Sequence, residues 1–148
     1  MHRRARRSTQ PLDVMSALRA IVQEPGPERV LSSPAELDQT LSEAAPQAQA
    51  AQLLNVVFLQ ASNGDQLSLV VGGNETVLGF NHGHGNPPYY ASAGEATTDE
   101  PVLTAYAGLV HHTEFPRRWV VPMSVGRRAA AEFLATGARP TSVGWVEV

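Results

Sequence analysis

The longest apolar run, Leu53 to Ala61, places Leu54, Val56 and Phe58 on one face of an extended chain and Leu53, Val57 and Leu59 on the other. A strand apolar on both faces belongs inside a sheet, covered from both sides. Asn63-Gly64 follows, and both residues tolerate the positive φ of a tight hairpin turn. Leu67, Leu69 and Val71 return as the partner strand. Gly72-Gly73-Asn74 predicts a second turn, and Thr76 to Asn81 a third strand of the meander. Tyr89 to Ser92, Val102 to Gly108 and Trp119 to Val121 read as further strands, with Val110 to Phe115 a variable connection.

Two segments change to a helical period. Ser33-Pro34-Ala35-Glu36 is a helix start, with Ser at the N-cap, Pro at the first helical position and Glu at the third. Leu37, Leu41 and Ala44 or Ala45 form its apolar face; Pro46 is expected to end it, leaving Gln47 to Gln52 as a loop or frayed turn. The second helix follows Pro122, with Ser124 as its expected N-cap. Val125, Ala129 and Phe133 recur at i, i+4 and i+8, with Ala130 and Leu134 beside them. Gly137 stops this helix and Pro140 forbids its resumption. Thr141 to Val148 then reads as a last strand, with Val143 and Trp145 on one face and Val146 and Val148 on the other. Phe133 and Trp145 are expected to pack together. Asp13 to Glu24 fits either a short helix capped by Asp13 or an edge strand, and Pro25-Gly26-Pro27 breaks the chain after it. The order predicts an α+β fold: an antiparallel β-meander sheet of about five or six strands with two helices packed on one face.

Composition narrows the picture. The chain has 148 residues, enough for one domain with a core. Residues 1–12 are expected to be a disordered basic arm, with Met15 as an alternative start, and residues 13–148 a single domain. Cysteine is absent, which excludes disulfides and thiolate chemistry and suits the cytoplasm. No apolar run approaches the ~20 residues of a membrane span, and no apolar stretch of a secretory signal follows the basic arm. Residues 1–14 hold four arginines against Asp13, a net charge of +3. The remainder holds seven arginines against thirteen acids, a net charge of −6. A body of that sign repels nucleic acid and attracts a basic protein.

Candidate chemistry is sparse. His82 and His84 form an H-x-H pair in the loop HGHGNPP, and His111-His112 a second pair. Four imidazoles could bind zinc, but a Gly-rich loop with no close carboxylate offers little orientation. No metal or other cofactor is expected. Gly72-Gly73 and Gly83-x-Gly85 lack the lysine and helix of a phosphate loop, and no G-x-S-x-G frames a serine nucleophile. Asp99-Glu100 is the one adjacent carboxylate pair, and it falls in a loop. No catalytic residue is expected, and the residues point away from an enzyme. The alternatives are a small metal-dependent enzyme built on His82 and His84, and a binding module of another kind. Arg127 and Arg128 sit in the first half of the second helix, where the macrodipole disfavours cations. They suit a partner, an intramolecular acid such as Glu132, or a solvated face.

The run EFLATGARPTSVGWVEV, Glu132 to Val148, resembles the C-terminal signature of the type-one immunity proteins of bacterial polymorphic-toxin systems. YYASAG (Tyr89 to Gly94) and LTAYAG (Leu103 to Gly108) fit the same family, and the resemblance spans roughly Leu31 to Val148. It implies a strand within Asp13 to Glu24. It also implies a non-enzymatic protein that binds and neutralises a cognate toxin domain, of nuclease or nucleic-acid deaminase type, by occluding its active site. No nucleic acid or membrane is then an expected partner, and no oligomeric state follows. Loops carry recognition on rigid sheets, and two are unusual here. One ends in Tyr89 and Tyr90; the other holds Glu95, Asp99 and Glu100, the densest acid cluster. These five residues are the expected toxin-binding site.

Overall fold

The computed structural model describes residues 18–21, 28–51, 54–107 and 111–148. The arm 1–12, Met15, most of Asp13 to Glu24, and Leu53 lie outside the described residues. The sheet is built outward from β3 (Asn55–Ala61), which pairs antiparallel with β4 (Gln66–Val71). The turn between them is the expected one: Gly64 has φ 93°, and the Asp65 N–H donates to Asn63 Oδ1 at 2.9 Å. Both faces of β3 are apolar as the alternation requires. Val57, Leu59 and Ala61 enter one core; Val56, with Leu54 and Phe58 at its margin, enters a second.

The expected third strand is split. β5 (Glu75–Thr76) leaves the main sheet to pair with β10 (Val121–Pro122), and β6 (Leu78–Asn81) continues the meander on β4. The Thr76 hydroxyl takes the Val70 N–H at 2.9 Å, so a side chain replaces the backbone acceptor where the strand breaks. β7 (Tyr89–Ser92) pairs with β6, and β11 (Trp145–Glu147) closes this edge by pairing with β7.

The other edge of β3 is shared. Its C-terminal half pairs antiparallel with β1 (Leu18–Ile21), which carries β2 (Arg29–Leu31). Its N-terminal end pairs in parallel with β8 (Leu103–Ala107), which carries β9 (His111–Phe115). The described strands thus form a nine-stranded sheet and a two-stranded one, antiparallel except for the β3–β8 pair. The class is α+β as expected, with more strands than five or six. β1 makes part of Asp13 to Glu24 a strand. β9 replaces the expected loop at Val110 to Phe115; His112 and Glu114 on it face solvent, so it lacks an apolar signature. The expected strand Trp119 to Val121 becomes a 3₁₀ turn, Arg117–Trp119, followed by β10.

Two helices cover one face: α1 (Pro34–Ala51) and α2 (Met123–Thr136). α1 starts as read, with Ser33 Oγ accepting the Glu36 N–H and Glu36 accepting the Ser32 N–H at 2.8 Å. Pro46 does not end it. A proline removes its own N–H bond, and the Ala-rich run beyond retains high helix propensity, so the backbone stays helical to Ala51 and most of Gln47 to Gln52 is helix. Ser124 is not the cap of α2: the cap is Pro122, without a side-chain bond, and Ser124 lies inside the first turn. Gly137 takes the left-handed conformation, φ 69°, and closes the helix as expected. Leu37, Leu41, Ala44, Ala129, Ala130, Phe133 and Leu134 bury against β1, β3, β4 and β6. Phe80 lies between Phe133 and Trp145, its ring 6.1 Å from the first and 6.3 Å from the second. The opposite face is covered by the β8–β9 hairpin and the 3₁₀ turn, through Ala105, Phe115, Trp119 and Val120. Among the described residues no helix is long and apolar enough to cross a membrane.

Candidate functional site

β7 is four residues long, and a loop leaves each end. Its alternation sends Tyr89 and Tyr90 to opposite faces of the sheet. Tyr90 points to the helix side, packed on Phe80 with the Arg139 guanidinium 4.0 Å above its ring. Tyr89 points to the other side, 36% exposed, with its hydroxyl donating to Gly85 O at 2.9 Å. Ser92 is fully buried; its hydroxyl accepts the Leu78 N–H at 3.0 Å and donates to Trp119 O at 2.6 Å. It thereby ties β7 to the 3₁₀ turn.

The acidic loop after β7 is held by that same turn. The Gly94 N–H donates to Arg118 O at 2.7 Å, and a Cβ at Gly94 would lie 2.2 Å from Val120 O. Only glycine allows this approach. The Arg117 N–H donates to Asp99 O at 3.1 Å, its Nε to Pro101 O at 3.2 Å, and its Nη1 meets Glu75 at 2.8 Å. Arg118 meets the Asp99 carboxylate at 3.1 Å. The charge of Asp99 is therefore answered within the molecule. Glu95 and Glu100 are exposed and make no ion pair with the described residues. Glu95 borders a groove of about 580 Å³ whose walls include Glu75, Arg117, Val121, Val125 and Val143.

On the face away from the helices, Tyr89 joins Phe115, Trp119 and Val148 around a small apolar hollow of about 120 Å³. Trp119 and Val148 also border an adjoining groove of about 340 Å³ with Arg118 and Val146. Tyr89 and the Arg118–Asp99 pair thus share one connected surface, while Tyr90 lies across the sheet. Val146 and Val148, 37% and 55% exposed, extend the apolar strip along the edge strand β11.

The histidine loop differs from its sequence reading. It is docked: the Gly83 N–H donates to Asp65 Oδ1 at 2.8 Å, and a Cβ at Gly83 would lie 2.7 Å from Asn63 O. A carboxylate does stand near, with Asp65 Oδ2 3.7 Å from His82 Nδ1. The His82 and His84 rings are 5.5 Å apart, and His84 Nδ1 accepts the Asn86 N–H at 2.9 Å. His112 Nε2 is 3.5 Å from Glu114; the side chain of His111 lies outside the described residues. Among the described residues no three His, Asp or Glu side chains converge on a metal position.

Arg127 pairs with Asp38 of α1 at 2.8 Å, not with Glu132. Glu132 instead turns to the chain beyond its own helix. It accepts the Thr141 N–H at 2.7 Å, the Thr141 hydroxyl at 2.8 Å and the Ser142 N–H at 3.0 Å. The Thr141 backbone bond, foremost among these, holds its carboxyl below the ordinary value. Trp145 Nε1–H donates to Pro140 O at 2.7 Å. The segment 137–142 is thus pinned from both ends, which sets Arg139 over Tyr90. The sequence reads here as a helix stop at Gly137 and a strand from Thr141, but residues 141–143 are bends, with Thr141 and Ser142 held by Glu132, and the strand begins at Trp145. The acid nine residues before Thr141 was the one available sign of the rest.

These polar groups mostly position loops, and they do so on an α+β scaffold that carries an apolar strip beside exposed acids. The model of a protein family described as Immunity protein Imm1 matches residues 8–147, and the chain belongs to that family. Among curated proteins none matches the chain.

Proposed function

We propose that this protein is the non-enzymatic, cytoplasmic inhibitor of a bacterial polymorphic toxin. It binds the cognate toxin domain, of nuclease or nucleic-acid deaminase kind, and occludes its active site. Family membership supports the immunity role. The observation that carries the binding surface is the apolar strip of Tyr89, Trp119, Val146 and Val148 adjoining the acidic loop. Toxins that act on nucleic acid present basic clefts, and the −6 body is complementary to one. Tyr89, Tyr90, Glu95, Asp99 and Glu100 form the proposed site. Glu95 and Glu100 supply long-range attraction, Asp99 orders the loop through Arg118, and the tyrosines supply desolvated contact.

Binding kinetics against the cognate toxin domain test the reading. Charge reversal by Glu95→Arg with Glu100→Arg is expected to slow association at low salt, with a smaller effect at high salt. Tyr89→Ala is expected to speed dissociation. If the charge-reversed protein matches the parent at both salt concentrations, the acidic loop is not the interface. If the parent does not bind, the proposed function falls.

A further inference from the structure

Five of the seven arginines in the described residues meet a carboxylate: Arg19 with Glu28, Arg29 with Glu43, Arg117 with Glu75, Arg118 with Asp99 and Arg127 with Asp38. The exceptions are Arg128, exposed on α2, and Arg139. Arg139 is different in kind, because it stands in a cleft of about 560 Å³ on the helix side of the β7–β11 edge. Phe80, Tyr90 and Trp145 give the cleft an aromatic wall, and Asp65 and His82 lie on its rim. The central carbon of the guanidinium lies 4.0 Å from the centre of the Tyr90 ring, and no carboxylate among the described residues pairs with its N–H donors. Asp65 does not supply the match. Its Oδ1 accepts the Gly83 N–H, and its Oδ2 faces Asn63 Nδ2 at 3.4 Å and His82 Nδ1 at 3.7 Å. The Glu132 anchor and the Trp145–Pro140 bond hold the segment that carries Arg139.

From this geometry we infer that Arg139, oriented by Tyr90, is a receptor for a carboxylate side chain of the protein partner. A guanidinium held over an aromatic ring can donate two parallel N–H hydrogen bonds to a planar carboxylate. A phosphate could engage the same donors, but the thirteen acids against seven arginines of residues 15–148 oppose a nucleic acid. The site rests on the toxin-binding reading and adds to it. The partner grips the β7–β11 edge from both sides, with Tyr89 and the acidic loop on one face and Arg139 on the other. A sheet is about 10 Å from face to face, and a standard interface of about 800 Å² per partner reaches round such an edge.

The test measures the cognate toxin domain against the parent, Arg139→Ala and Arg139→Lys, with thermal melts to verify folding. Arg139→Ala is expected to weaken binding about thirtyfold or more, chiefly by faster dissociation. Arg139→Lys keeps the charge, loses the fork, and is expected to recover only part of the affinity. Alanine substitutions of the toxin's surface acids should identify one whose loss is no longer felt once Arg139 is gone. Binding by the parent with unchanged affinity in Arg139→Ala overturns this site alone; failure of the parent to bind overturns it along with the function above. Arg139-dependent binding of a single-stranded oligonucleotide, in place of the toxin, also overturns it.

Discussion

Glu132 shows how a single side chain can organise a region that sequence patterning reads as punctuation. One carboxylate receives two backbone N–H groups and a hydroxyl from Thr141 and Ser142. It satisfies donors that the turn leaves without strand partners. Because these bonds favour the ionised form, its pKa is lowered from an ordinary 4.5. A group with a depressed folded-state pKa stabilises fully above its unfolded value, and that contribution is lost as pH falls through the folded value. Glu132→Gln is therefore expected to melt below the parent at pH 7, with the gap closing as pH drops under about 4.5. A gap of equal size at pH 7 and pH 3 would show that the carboxylate charge does not hold the turn. Asp99 carries the complementary lesson. Its place in an acidic run marks it as a charge offered to a partner, yet its nearest cation is Arg118, nineteen positions away. Nothing in the local pattern announces a pairing over that distance.

Among the elements, those with a strong apolar rhythm were legible and those with a polar or very short one were not. The alternation in β3 places Val56 and Phe58 opposite Val57 and Leu59, as observed, because side chains there have a core on each side. β7 has the expected ends, and its two tyrosines part as a strand demands. β9 was hidden because His112 and Glu114 face solvent, and β5 and β10 are two residues each. The fork at β3, with β1 and β8 sharing one edge, has no local signature, since the β3–β8 pair joins segments about fifty residues apart. α2 contributes Ala129, Ala130, Phe133 and Leu134 to the helix-side core. Phe133 is fully buried against Phe80, so Phe133→Ala is expected to cost about 3–5 kcal/mol in chemical denaturation. An unchanged midpoint would mean that α2 does not carry that core.

At the scale of the described molecule, the two faces of the sheet are built differently. Helices α1 and α2 and the large apolar side chains beneath them make one side of the sheet a closed core. Among the described residues the other side is covered in part, by β8, β9 and the 3₁₀ turn, and it runs out to Tyr89, Val146 and Val148 at the edge. This division was half legible: the sequence expects both helices on one face, but the partial cover on the other comes from pairings far apart in the chain. It also bears on descent. Exchanges of the exposed side chains at positions 146 and 148 touch little of what keeps the chain folded, and surface exchanges of that kind typically shift stability by no more than about 0.5 kcal/mol. If the toxin docks on that margin as proposed, a lineage whose adversary changes can rewrite it residue by residue while inheriting its core intact.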